Sequence, residues 1–430
     1  MLKATLAFVR QRPLAVATTA ILTGLFIQAV TKRSGDWIPV YVEAARRLLA
    51  GEDIYQGIGY AYPPFMAMIV TPFVFLPPLA IRVTFFAMCA LCAVMMVRAA
   101  WRITAGPPID DPQPWRRQEW AVFLFGLLCG GPYILNTFNV QQSYLLIGAL
   151  LIGGCHQLLH GRQVSGGALV GLAAACKLTP LLFCPYLFFR RQWMAGTVVG
   201  AVALAVNLLP NLVSTPPQGG LWLTHWISGS VVQGSDQPLG AVSGRMGVLT
   251  NLSLSGTTHR VINTELAFRG GRLDMVERPT VSMRTVLGIF LGLVAALAAV
   301  SFAALLIASR PIALPGLPPP TAVEYGTIVC LMLLLSPMSS SAHFNILVLP
   351  GFCLARLALA TRDRMLWGAA ALAGLLFALT NKELVRETIY TVLVWGGSTT
   401  IGTLLLWWGC VFALMRCYPK AEAGSQNARR

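Results

Sequence analysis

The chain has 430 residues, of which 56% are hydrophobic and only 11% are charged, and its mean hydropathy is +0.67. Soluble domains carry roughly 25% charged residues, so this chain has too few polar groups to cover a soluble fold of its size. Disorder is excluded as well, because disordered chains combine low hydrophobicity with high charge. The composition therefore predicts an all-α membrane protein with several spans.

The charge balance is strongly basic, with 32 Lys and Arg against 16 Asp and Glu, a formal net charge of +16. Proteins that bind nucleic acid gather such charge on one face or arm. Here the basic residues stand in short clusters between apolar runs, which is the pattern that membrane orientation produces. We therefore expect no nucleic-acid partner.

Twelve apolar runs are candidates for spans, each of which needs about 20 residues to cross a bilayer. A further run, 63–78, begins and ends with paired prolines, which favours a re-entrant or interfacial segment. With both termini in the cytoplasm, 18 basic residues fall in about 78 inner residues and 12 in about 140 outer residues, Arg82 and Lys177 being unassigned. This asymmetry agrees with the positive-inside rule. The predicted spans are roughly 14–31, 79–97, 119–135, 142–159, 165–178, 180–189, 194–212, 285–308, 322–335, 343–355, 365–380 and 387–415.

The layout is that of a single membrane domain over 1–430, with outer loops at about 32–78 and 213–284 and a cytoplasmic tail at about 416–430. Residues 40–49 have amphipathic helical spacing, which predicts a helix lying on the membrane with its apolar side toward lipid. Chemistry is expected on the outer face, because the inner loops are short. The sequence contains no zinc-protease, serine-hydrolase or Walker motif, and its outer loops offer no carboxylate cluster for a metal.

Few ionisable residues are placed where they suggest chemistry. Asp36 follows the first span at the lipid boundary, where it is either a general base or a loop carboxylate balancing Arg33. Lys177 lies in an apolar stretch, where inserting a cation costs about 2.5–3.5 kcal/mol and suggests a function; the alternative is a lysine that snorkels to the interface. His343 alone would be a capping or interfacial group, and Arg260 alone an exposed loop residue.

Several segments, spread over most of the chain, resemble in order those of glycosyltransferase family 87, the polyprenyl-phosphate-sugar-dependent membrane glycosyltransferases of GT-C type. The first outer loop is the most specific: residues 35–55 resemble the Asp-bearing loop of the family, and 62–65 its Tyr-Pro-Pro segment. Three positions differ, with Val140 for Gly, Leu252 for Gln, and His343 where paired His is common. The other similar segments are 141–146, 175–180, 251–260 and 336–343.

The resemblance implies a GT-C-type bundle of about 12 spans that transfers one sugar, with mannose as the first expectation, from a polyprenyl-phosphate donor to a glycolipid or glycan hydroxyl. It implies inversion at the anomeric carbon, no metal or other cofactor, and an extracytoplasmic site in a bacterial inner membrane, with membrane lipids as surroundings. The residues it implies are Asp36 as the general base, Arg260, His343 and Lys177 as donor-phosphate ligands, and Tyr62, Gln141 and Asn251 as sugar or acceptor contacts.

The alternative function is a lipid-linked-sugar flippase or another membrane transporter. A transporter favours ionisable residues near the middle of the bilayer and repeated broken helices. Nearly all candidate residues of this chain fall instead at one predicted face, which favours the enzyme.

Overall fold

The computed structural model describes residues 13–31, 35–109, 115–229, 248–307, 316–380 and 385–418. The described chain is mostly helical, as its long apolar runs require, and short 3-10 segments extend several helices. The helices are α1 (Pro13–Thr31), α2 (Glu43–Ala50), α3 (Pro64–Val70), α4 (Pro78–Ile103), α5 (Arg117–Val140), α6 (Tyr144–Leu159), α7 (Gln163–Cys176), α8 (Phe183–Phe189), α9 (Trp193–Leu208), α10 (Trp222–Ile227), α11 (Leu254–Asn263), α12 (Met283–Ile307), α13 (Pro320–Leu334), α14 (Val348–Thr361), α15 (Arg364–Leu379), α16 (Glu387–Trp395) and α17 (Ser398–Arg416).

Six helical segments of the described chain are long and apolar enough to cross a membrane. The prediction of a helical integral membrane protein is confirmed. The count of about 12 spans stays a prediction, since other predicted spans, such as 365–380, form apolar helices of 10–17 residues. The run 63–78 forms such a short helix, Pro64–Phe75. The six segments are Pro78–Ile103, Arg117–Val140, Trp193–Leu212, Met283–Ile307, Ser341–Thr361 and Ser398–Arg416.

The last predicted span, 387–415, is two helices, because Gly396 and Gly397 separate α16 from α17. Gly397 has φ +79°, in the left-handed region that favours glycine. A Cβ at this position would lie 2.3 Å from Thr257, so the close approach also requires glycine.

The all-α prediction misses one β-hairpin in the second outer loop. Strands β1 (Thr264–Arg269) and β2 (Arg272–Glu277) pair antiparallel, with Thr264 opposite Glu277. The turn residues Gly270 and Gly271 have φ +56° and +79°, as a two-residue type I′ turn demands.

The amphipathic segment 40–49 is helical, but its apolar side does not face lipid as predicted. Ala44, Ala45 and Leu48 are fully buried against the protein, where α2 packs on the helical segment Pro64–Phe75. The apolar side of α2 is covered by protein because the first outer loop folds back over its own short helix, Pro64–Phe75.

The predicted outer segments meet at one end of the bundle. Trp226 in α10 donates its indole N–H to the carbonyl of Ala61 in the first outer loop, at 3.2 Å. The backbone N–H of Leu252 donates to the carbonyl of Ser339 at 2.7 Å. These contacts join loops that lie far apart in the sequence, and they assemble the candidate site.

Two arginines of the predicted inner loops pair with glutamates at the inner ends of predicted spans. Arg356 donates two hydrogen bonds to Glu119, at 3.0 and 2.7 Å. Arg190 pairs with the buried Glu324, which also accepts a hydrogen bond from Tyr186 at 2.7 Å. In each pair an arginine neutralises a glutamate that is wholly or partly removed from water. Without its partner, either charge would be buried and uncompensated, which is strongly destabilising.

Candidate active site

Asp36 is held at the junction between the first outer loop and the α5–α6 turn. Its backbone N–H donates to the carbonyl of Val140 at 3.0 Å. Its Oδ2 accepts a hydrogen bond from Nε2 of Gln142 at 2.7 Å. The helical turn Trp37–Val42 follows at once, with Trp37 buried. The half-buried carboxylate therefore stands on a fixed backbone.

The two adjacent glutamines of the α5–α6 turn have different roles. Gln141 ends α5 in the left-handed region, with φ +54°. Its buried side chain crosses Gly35, where a Cβ would lie only 2.5 Å from it. Gln141 therefore packs against the backbone before Asp36, and the residue that contacts the carboxylate is Gln142. Gln142 was not predicted from the sequence, although it lies in the same segment, because nothing in the spacing distinguishes the two.

Three tyrosine hydroxyls form a chain from the first outer loop to α6. Tyr41 donates to Tyr62 at 2.6 Å, and the hydroxyls of Tyr62 and Tyr144 are 2.7 Å apart. Tyr62 thus links Tyr41 of the same loop to Tyr144, the first residue of α6. The sequence predicted Tyr62 but neither of its two partners.

A small cavity lies beside Tyr144, with about 20 Å³ of free volume, enough for one water molecule. Lys177 and His343 line it, together with Ser339 and Asn345. The Nζ of Lys177 lies 4.8 Å from the centre of the Tyr144 ring, and the centre of the His343 ring lies 3.7 Å from it. Two of the three predicted phosphate ligands therefore share one cavity.

His343 presents one ring nitrogen without a protein partner. Its Nδ1 lies 3.0 Å from the carbonyl of Ser340 and 2.9 Å from that residue's hydroxyl. A carbonyl acceptor places a proton on Nδ1. The buried Nε2 has no hydrogen-bond partner within the described part of the chain. This nitrogen accepts a hydrogen bond when the ring is neutral and donates one when the ring is protonated.

Arg260 does not line this cavity. Its side chain is fully buried, and burial lowers the pKa of Arg260 to about 10, which leaves the guanidinium charged at neutral pH. The group braces the second outer loop against the end of α16. Its acceptors are the carbonyls of Asn251, Val248 (3.3 Å), Val394 (3.2 Å) and Trp395 (3.4 Å), and the hydroxyl of Thr257 (3.1 Å).

Asn251 is also buried, and both of its amide atoms are hydrogen-bonded. Its Oδ1 accepts from the backbone N–H groups of Ser253 and Ser339, at 3.2 and 3.1 Å. Its Nδ2 donates to the carbonyl of Pro337 at 3.0 Å. Asn251 therefore fixes the segment 336–339, which leads into His343.

The structure divides the predicted site residues into two groups. Asp36, Tyr62, Gln141, Lys177 and His343 are connected through the segment 141–144. Arg260 and Asn251 lie behind this group and support it. Within the described ranges, no group of three or more His, Cys, Asp or Glu side chains is arranged to hold a metal ion.

Comparison with known proteins agrees with the resemblance seen in the sequence. The model of glycosyltransferase family 87 matches residues 60–337, a range that includes Tyr62, Gln141, Lys177, Asn251 and Arg260 but neither Asp36 nor His343.

One curated relative is the polyprenol-phosphate-mannose-dependent alpha-(1-2)-phosphatidylinositol mannoside mannosyltransferase of Mycolicibacterium smegmatis. It is 27% identical over 187 residues, which are 40% of this chain and 42% of the relative. The match therefore spans less than half of the relative's length. Among solved structures, ArnT from Cupriavidus metallidurans, bound to undecaprenyl phosphate, aligns with 93% of this chain and 76% of its own, at 14% identity and a TM-score of 0.40. Because the family model matches well over half of the chain, the protein belongs to glycosyltransferase family 87.

Proposed function

We propose that the protein transfers a sugar, mannose first among candidates, from a polyprenyl-phosphate donor to a hydroxyl of a lipid or glycan acceptor, with inversion. The observation that carries the proposal is the segment 141–144, which joins a carboxylate to two potential cations. Gln142 holds Asp36, and Tyr144 contacts both Lys177 and His343. The donor requirement of the mycobacterial relative supports the choice of donor.

The reaction is a single displacement. Asp36 takes the proton of the acceptor hydroxyl as its oxygen forms a bond to the anomeric carbon. The bond between that carbon and the phosphate oxygen breaks, and polyprenyl phosphate leaves with the bonding electron pair. One displacement inverts the configuration without a covalent intermediate. Asp36 then returns the proton to water.

Lys177 and His343 serve as the ligands of the leaving phosphate. Fixed cations in a site of low dielectric stabilise the charge that develops there more strongly than water does. The unpartnered Nε2 of His343 supplies a donor when the ring is protonated. Arg260 keeps a supporting role, since its donors already bond protein acceptors. No metal is required, because the cations are side chains.

The site faces the extracytoplasmic side of a bacterial inner membrane, with both termini in the cytoplasm. This orientation is supported by the greater number of basic residues in the predicted inner segments and by the way the predicted outer segments gather around Asp36. The donor and a lipid-linked acceptor both reach such a site from within the membrane.

The test uses purified protein in nanodiscs, polyprenyl-phosphate [14C]mannose, and glycolipids from a strain that lacks this protein. The expected result is a labelled glycolipid, with EDTA having no effect. Asp36→Asn should lower kcat by about 10²–10⁴-fold, and Asp274→Asn on the exposed hairpin should not. Transfer from a nucleotide sugar alone, or wild-type turnover by Asp36→Asn, would contradict the proposal.

A further inference from the structure

Gln142 makes the side-chain contact that holds the Asp36 carboxylate. Its Nε2 donates to Oδ2 of Asp36 at 2.7 Å, across 106 positions of sequence. The amide N–H engages one of the two carboxylate oxygens. It also fixes the direction in which the carboxylate points.

The other half of the same amide is unsatisfied. Oε1 of Gln142 is buried and has no hydrogen-bond partner in the described ranges. Two other buried amides, Asn207 and Asn263, use both of their polar atoms. Oδ1 of Asn345, which lines the cavity beside Tyr144, is unpaired like Oε1 of Gln142. Buried polar atoms are rarely left unpaired. The oxygen beside Asp36 is therefore a place where a ligand group completes the structure.

We propose that Gln142 positions Asp36 for proton abstraction and that its Oε1 receives a second hydroxyl of the acceptor. The inference rests on the proposed function. One acceptor hydroxyl loses its proton to Asp36 and forms the glycosidic bond. A neighbouring hydroxyl donates a hydrogen bond to Oε1. This second hydroxyl keeps its proton and takes no part in the covalent step. The acceptor is thus a sugar or another polyol with adjacent hydroxyls, since an isolated hydroxyl would leave Oε1 unpaired.

The first test is the variant Gln142→Met, which keeps the length of the side chain and removes both polar atoms. In the nanodisc assay with polyprenyl-phosphate mannose and membrane glycolipids, kcat should fall by about 10–10²-fold. The KM for the glycolipids should rise, and the KM for the donor should stay within about twofold of wild type. The matched control is Gln28→Met, because Gln28 is an exposed glutamine whose amide bonds Asn139; it should behave as wild type.

The second variant, Gln142→Glu, preserves shape and separates positioning from packing. Two carboxylates at hydrogen-bond distance share one proton, so the introduced carboxyl group can donate to Asp36 only while that proton remains. Sharing of the proton disfavours the ionised base, so the acidic limb of the pH–kcat profile should move up by about one unit. A side chain that does not contact Asp36 would tolerate this isosteric exchange with an unchanged pH profile.

Wild-type kcat and acceptor KM for Gln142→Met would overturn the inference while leaving the proposed function intact. An unshifted pH profile for Gln142→Glu would also overturn it. Failure of the wild-type protein to use any polyprenyl-phosphate sugar would instead overturn the proposed function, and the inference with it.

Discussion

The rings of Tyr144 and His343 lie with their centres 3.7 Å apart, while the Tyr144 hydroxyl lies 2.7 Å from that of Tyr62. Lys177 stands over the same tyrosine ring, with Nζ 4.8 Å from its centre. Tyr144 therefore joins the first outer loop, the residue after α7 and the segment before α14. Its ring determines the spacing of the two cations proposed to bind phosphate.

Two replacements of Tyr144 should distinguish the contribution of its ring from that of its hydroxyl. Tyr144→Leu removes the ring, and we expect kcat/KM for the donor to fall by about 10²-fold, because a displaced group loses its transition-state contact. Tyr144→Phe keeps the ring and removes the hydroxyl that bonds Tyr62, a contact worth about 1 kcal/mol, so the loss should be about fivefold. Equal effects of the two variants in donor titrations would show that the ring has no special role.

Lys177 should act through its charge. Lys177→Met should lower kcat/KM for the donor by about 10²-fold, as does the loss of one transition-state hydrogen-bond donor in other enzymes. Lys177→Arg keeps the charge and should retain more activity than Lys177→Met. The exposed Arg272 on the hairpin gives a control, Arg272→Met. Donor kinetics that do not distinguish Lys177→Met from this control would exclude Lys177 from phosphate binding.

Arg260 should act through stability. Arg260→Met leaves several buried carbonyls without a donor, and we expect a loss of at least about 3 kcal/mol. The measurement is thermal unfolding in nanodiscs, together with the donor KM of the folded fraction, which should stay near wild type. Arg278→Met is the control, because the Arg278–Glu265 pair is exposed and should contribute no more than about 1 kcal/mol. If Arg260→Met raised the KM for the donor and left thermal unfolding unchanged, Arg260 would be a ligand of the donor phosphate and not a stabilising residue.

Gly35 should tolerate no side chain without loss of activity. A Cβ at this position would lie 2.5 Å from the Gln141 side chain, so Gly35→Ala must displace that flexible side chain or Asp36 beside it. We expect kcat to fall by about 10-fold or more, with a modest loss of stability. Gly24→Ala is the matched control, because nothing lies within 4 Å of a Cβ there. Equal turnover by the two alanine variants would contradict the prediction.

Much of the fold follows from hydropathy. The predicted runs 194–212 and 285–308 agree closely with the helical segments Trp193–Leu212 and Met283–Ile307. The break at 396–397 was missed because hydropathy averages over two glycines inside an apolar run. The hairpin was missed as well, although Gly270-Gly271 between two short runs is a hairpin signal.

The site was predictable in kind and less so in detail. The resemblance of the first outer loop to that of the family identifies Asp36. The sequence cannot show that Gln142 rather than Gln141 contacts it, because that depends on the left-handed backbone at the end of α5. The three predicted phosphate ligands also differ in their surroundings. Protein carbonyls surround the guanidinium of Arg260, whereas Lys177 and His343 line the cavity. Such a difference depends on tertiary contacts that no local pattern records.

The contacts of Arg260 also bear on the order in which the chain assembles. The residue is synthesised 134 positions before Val394, whose carbonyl it needs as an acceptor. During synthesis this cation must therefore stay in water or in a temporary contact until the end of α16 has been made. The second outer loop completes its fold only at that late step, so the end of the protein that holds the candidate site matures after most of the membrane bundle is already in place.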